Sequence, residues 1–229
     1  MGCGCNTKES VREKENIPNN QAQEQNPKVI NVQKSNEPPA QQNQKPIQTD
    51  VKEDISKKNN SQLNSFTKEN LNLERMRELE LEEHNRLRRL HGAPPLILND
   101  DLNEMAQKYA QVIAQKNELS HSKNRNLKGK EGEWVGENLY YFYASPVCEY
   151  KCGNMSKSWY DEIKDYNFDT GKSKNGGVVG HFTQLVWKAT KEVGFGIGFN
   201  GNSIYAVANY YPGGNFNNAE LENVGKLKK

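Results

Sequence analysis

Four side chains sit where their chemistry is out of place. His181 stands at the start of Gly180-His181-Phe182-Thr183-Gln184-Leu185-Val186-Trp187, a run otherwise apolar and compatible with a helix. His121 lies in Leu119-Ser120-His121-Ser122, and Glu137 is embedded between Trp134-Val135 and Leu139-Tyr140-Tyr141-Phe142. Glu162 falls at the edge of the helical face expected for Trp159, Ile163 and Tyr166, not opposite it. A charged group in an apolar setting is costly to desolvate unless it is paired or bound to a metal. Two imidazoles and two carboxylates therefore form an inventory compatible with a divalent-metal centre. The imidazoles suit zinc, and Glu137 or Glu162 can serve as ligand, general base or outer-shell partner. Their spacing is too wide to be a metal signature in itself. His181 taken alone also fits a core histidine satisfied by the backbone.

Other candidates read differently. His84, on the first expected helix, and His91, at its end near the last carbonyls, fit structural roles. Cys148 and Cys152 form a Cys-x-x-x-Cys pair without a second pair to complete a zinc site, so they read as two reduced thiols in a loop. Met1-Gly2-Cys3-Gly4-Cys5 offers Gly2 for myristoylation and Cys3 and Cys5 for palmitoylation, with Asn6 where Ser or Thr is preferred. Two or more acyl chains anchor stably where one does not.

These groups need elements to position them, and the first part of the chain offers none. Residues 6–68 are rich in Asn, Gln, Lys, Glu and Pro and read as a disordered tether between a lipidation segment at 1–5 and a folded domain at 69–229. A coil of about 60 residues has a root-mean-square reach of roughly 40–50 Å. A net charge of +2 with interspersed signs offers no basic patch for nucleic acid. No run is long and apolar enough to span a bilayer, and no secretory signal core is visible, so the expected location is the cytosolic side, with secretion disfavoured.

The domain reads as α+β. Helical spacing begins near Asn70 and is stopped by Gly92 and Pro94. A second helix is expected to start at Asp100 or Asp101, with an apolar stripe of Leu102, Met105, Ala106, Tyr109, Val112 and Ile113. A third spans about Ser156–Tyr166. Val193–Phe199 and Ser203–Tyr211, separated by Asn200-Gly201-Asn202, predict a β-hairpin. Helices first and strands last predict a layered domain with an antiparallel sheet.

Five ordered phrases carry a resemblance. His181-Phe182-Thr183-Gln184-Leu185-Val186-Trp187 and Asn209-Tyr210-Tyr211-Pro212-Gly213-Gly214-Asn215-Phe216 resemble the two signatures of the CAP superfamily of cysteine-rich secretory proteins, antigen 5 allergens and plant pathogenesis-related proteins. His84-Asn85-x-x-Arg88, Gly136-Glu137-Asn138-Leu139 and the Trp159-Tyr160 helix are similar to further blocks of that family. The chain most resembles the Golgi-associated, pathogenesis-related branch, whose members are intracellular, poor in cysteine and myristoylated. The resemblance implies a three-layer α-β-α sandwich with a central antiparallel sheet. It also implies a cleft where His121, Glu137, Glu162 and His181 converge, with the histidines binding zinc or another divalent cation.

Two departures qualify what is carried over. Ala208 stands where secreted members have a cysteine, and Tyr143 occupies the place of a serine proposed as catalytic in some relatives, which gives a serine hydrolase little support. The resemblance implies binding of membrane phospholipids such as phosphatidylinositol, of sterol, or of a second copy as a homodimer. The reading is a lipid- or protein-binding module on the cytoplasmic face of a membrane, Golgi, plasma or other. Its rival is a metal-dependent hydrolase using Glu137 or Glu162 as base.

Overall fold

The computed structural model describes residues 64–228. The lipidation segment and nearly all of the tether lie outside the described residues. Asn64–Lys68, expected in the tether, belong to the domain: β1 (Ser65–Phe66) pairs antiparallel with β4 (Tyr150–Lys151), and Phe66 is buried. A two-residue strand is too short for periodicity to reveal.

The frame is one four-stranded sheet in the order β2 (Ile97–Leu98), β7 (Glu192–Asn200), β8 (Ser203–Tyr211), β3 (Gly136–Tyr143). The three long strands are antiparallel, as expected, while the short edge strand β2 runs parallel to β7. β7 and β8 form the predicted hairpin, closed by the two-residue turn Gly201-Asn202 because Asn200 pairs with Ser203. Gly201 has φ 55°, in the left-handed region that favours glycine.

Alternation along the strands sorts side chains to two faces. Val193, Phe195, Ile197, Ile204, Ala206 and Tyr210 join one core with Met76, Leu79 and Leu87 of α1 (Leu73–Leu90) and Trp159 of α3 (Asn154–Tyr160). On the other face Tyr205, Val207 and Leu139 meet Ala106, Ala110, Ile113 and Ala114 of α2 (Asp100–Lys116). These are the three layers of an α-β-α sandwich.

Two details differ from the sequence reading of α2. Its cap is Asn99, whose side chain accepts from Leu102 N at 3.0 Å, leaving Asp100 and Asp101 in the first turn, where their charge suits the helix dipole. Its buried stripe includes Ala110 and Ala114 and leaves Val112 exposed. The sheet opposite explains this. Cβ atoms at Gly194, Gly196 and Gly198 would run into the backbone of Leu102–Asn103, Ala106–Gln107 and Ala110. The helix therefore lies against bare strand backbone, and only small residues fit between.

The third expected helix is shorter than its pattern. α3 ends at Tyr160, a 3-10 turn covers Asp161–Asp165, and Tyr166 begins β5 (Tyr166–Asn167), which pairs with β6 (Lys172–Ser173). The tighter 3-10 winding accompanies the position of Glu162, which faces α4 (Gly180–Leu185).

Candidate functional site

The short helix α4, which carries His181, is held from three sides. At its start, Glu162 accepts from His181 N at 3.0 Å and Phe182 N at 3.1 Å, the usual service of a carboxylate to unpaired N–H groups at a helix N-terminus. Asn138 of β3 donates to the His181 carbonyl at 3.0 Å. At its end, buried Arg88 donates to Leu185 O and Trp187 O at 2.8 and 3.0 Å, and also to Pro94 O and Thr190 O. Burial lowers the Arg88 pKa to about 10, with backbone carbonyls as its partners. The His181 ring stacks on Trp159 at 6.3 Å between centroids.

The four expected residues form two pairs. His181 Nδ1 lies 2.6 Å from Glu162 Oε1, and His121 Nδ1 lies 2.7 Å from Glu137 Oε1. Glu137 also accepts from Ser122 N at 2.9 Å and Ser122 Oγ at 2.7 Å, with Arg125 at 3.5 Å. Burial pushes its pKa up, but the bonds from His121 and Ser122 and the charge of Arg125 outweigh burial and hold the carboxyl below its usual value. Both glutamates, anomalous in the sequence, are thus hydrogen-bond acceptors satisfied by a histidine and by backbone N–H donors. In each pair the carboxylate takes Nδ1, and Nε2 has no hydrogen-bond partner among the described residues.

His121 and Glu137 line a cavity of about 310 Å³ with Arg125, Trp134, Gln184 and Asn215. His181 and Glu162 do not line it. Among the described residues, no three His, Cys, Asp or Glu side chains are grouped so as to hold a metal ion. Tyr143 is exposed at the end of β3, and buried Ala208 faces Asn138 across the ladder.

His84 and His91 serve the structure, as expected. His84 is fully buried between Glu80 O and Tyr210 OH, at 3.0 and 2.9 Å. His91 bridges Gly225 O and Tyr160 OH. Cys148 and Cys152 are free thiols, and burial raises the pKa of both. Glu80, which has no exposed surface, was missed by sequence reasoning. It accepts from Tyr150 OH, from Gly153 N at 2.6 Å and from Ser156 Oγ at 2.6 Å. Ser156 also lies 2.9 Å from His84 Nδ1. On α1 an acidic residue fits a solvated face, so only the tertiary contacts expose this role.

A family model of the cysteine-rich secretory proteins, CAP, matches residues 81–210. The chain belongs to the CAP family. CAP relatives include the human Golgi-associated plant pathogenesis-related protein 1, 38% identical over 152 residues that cover 65% of this chain and 92% of that protein. Another is venom allergen 5 of Polistes dominula, 35% identical over 165 residues covering 62% of this chain and 70% of the allergen. Among solved CAP structures, Schistosoma mansoni venom allergen-like protein 4 aligns over 67% of this chain and 95% of its own, at 23% identity and TM-score 0.48. No helix among the described residues is long and apolar enough to cross a membrane.

Proposed function

We propose that this chain is a lipid-anchored CAP module whose domain binds a lipid or protein partner and a divalent cation, zinc among the candidates, through His121 and His181. The observation that carries the metal reading is the shared geometry of the two pairs. A carboxylate fixes each imidazole through Nδ1 and leaves Nε2 without a partner, the outer-shell arrangement of metal-ligating histidines. The donor chemistry therefore fits a divalent ion, with Glu137 and Glu162 orienting the rings. A bound ion would supply a fixed positive charge beside the cavity. Because three acceptor positions of Glu137 are taken by Ser122 and His121, the geometry favours a binding site over a hydrolase with that residue as base.

The anchor reading rests on Gly2, Cys3 and Cys5, and the name of the human relative, Golgi-associated, supports association with an intracellular membrane. Phosphatidylinositol, sterol and a second copy of the chain are the partners this reading admits.

Zinc calorimetry on the full chain tests the metal reading. The expected result is one site, lost in His121→Ala and in His181→Ala, and unchanged in His91→Ala. Absence of zinc binding in the parent, or undiminished binding in both site variants, overturns it.

A further inference from the structure

The cavity beside His121 has a charged wall that the histidine–glutamate pairs do not account for. Arg125 is 17% exposed at its side chain, and among the described residues its hydrogen-bond partner is Glu137 Oε1 at a long 3.5 Å. A guanidinium carries five donors, so nearly all of them are unspent. Its Cζ lies over the ring of Trp134, 4.6 Å from the centroid; this indole lines the cavity, is half exposed and donates to Gly214 O at 3.2 Å. A guanidinium that spends its face on an aromatic ring keeps its N–H edge for other partners.

Two amides complete the wall. Gln184 donates to Thr190 Oγ1 at 3.1 Å and Asn215 donates to Gly180 O at 2.9 Å, which leaves each one further amide proton. Asn215 holds φ 62°, and Thr183 Oγ1 donates to its Oδ1 at 2.7 Å. Glu137, the acidic group on this wall, is met from its own side by Ser122 and His121. What faces the remaining space is a donor-rich surface with a positive fork.

We propose that this cavity is an oxyanion subsite, in which Arg125, braced on Trp134, takes two oxygens of a phosphate group as a bidentate pair, assisted by the amides of Gln184 and Asn215. Planar bidentate recognition of phosphate is what a guanidinium provides and a point charge does not. The volume of about 310 Å³ is more than one phosphate fills, so it accommodates either a free phosphate or the phosphate of a lipid headgroup. This names a ligand class for the proposed binding module, and it does not require the metal.

The test follows the indole N–H signals of Trp134, Trp159 and Trp187 by nuclear magnetic resonance in the full chain, with buried Trp159 and Trp187 as internal controls. Three additions are compared at matched ionic strength: inorganic phosphate, vesicles of phosphatidylcholine, and the same vesicles containing phosphatidic acid. The expected result is a saturable shift of Trp134 alone, produced by phosphate or by the phosphatidic acid vesicles. Binding should weaken at least tenfold in Arg125→Gln and partly recover in Arg125→Lys. Response to phosphate identifies a free anion, and response to phosphatidic acid alone identifies a headgroup. No Trp134 shift with either, or equal binding by Arg125→Gln, overturns the proposal. Zinc calorimetry on Arg125→Gln keeps the two readings apart, because zinc binding should persist there, and loss of zinc binding in the parent leaves the phosphate result standing.

Discussion

Asn138 donates to the carbonyl of His181 at 3.0 Å, while the preceding residue, Glu137, accepts from His121 Nδ1 at 2.7 Å. Two consecutive residues of β3 thus tie down both histidines, one through its ring and the other through its backbone carbonyl. Asn138 also donates to Tyr210 OH at 3.3 Å. Asn138→Ala removes the donor to a part-buried carbonyl and to the buried Tyr210 OH and should cost about 1–3 kcal/mol, read as a lower urea midpoint. An unchanged midpoint would show that water replaces the amide without loss.

The close approach of α2 to β7 makes a second expectation. Gly196→Ala should destabilise by about 1–3 kcal/mol or more, since its Cβ has no space against Ala106 and Gln107. Gly180→Ala, whose Cβ would meet Asn215 Nδ2 at 3.7 Å, should stay within about 0.5 kcal/mol of the parent. Chemical denaturation of both variants checks the contrast.

Stability should fall with acid in part through His84. Burial lowers its pKa to about 3, from 6.5. Between those values the unfolded chain binds the proton and the folded chain does not, so His84 contributes stability that is present above about 6.5 and lost as pH falls toward 3. Neighbouring Glu80 acts with the opposite sign, because burial raises its pKa and its contribution is lost as pH rises through that value. Denaturation at a series of pH values should show a shallower slope below neutrality in His84→Gln than in the parent. An equal slope would assign the acid sensitivity elsewhere.

The fold should need Phe66 but not the residues before Asn64. A chain beginning at Gln62 should melt cooperatively near the temperature of the full chain. Phe66→Ala removes a buried ring at the β1–β4 junction and should cost about 3 kcal/mol. Calorimetric melts of the two distinguish a self-sufficient domain from one that leans on its preceding segment.

Membrane association should depend on the first five residues. Gly2→Ala, or Cys3→Ser with Cys5→Ser, should move the protein to the soluble fraction of expressing cells, since a single acyl chain holds only marginally. Unchanged sedimentation with membranes would remove the anchor.

The hairpin and the first two helices were legible because each leaves a local pattern. Glu137 and Glu162 were anomalous as charges among apolar neighbours, and the structure resolves both as acceptors for a histidine and backbone N–H groups. The burial of Ala110 and Ala114 was not legible, because it depends on glycines more than 80 residues later that bring a strand close to the helix. Arg88 and Glu80 were hidden for the same reason. Their partners come from remote loops, and on α1 they read as ordinary solvated charges. Arg125 lay in a polar loop where a lone arginine carries no signal until Trp134 is seen beneath it.

The glycine-faced strand also sets an order of events in synthesis. Residues 100–116 form α2, but the backbone they lie against, Glu192–Asn200, is made long afterwards, and the partner hairpin strand ends only at Tyr211. The closing contacts come later still, when Lys228 N reaches Leu90 O and Gly225 O reaches His91. Contacts of such long sequence separation cannot form while the C-terminal end is still inside the ribosome. The domain therefore closes only once Lys228 is free to reach Leu90, long after the residues of α2 have been made.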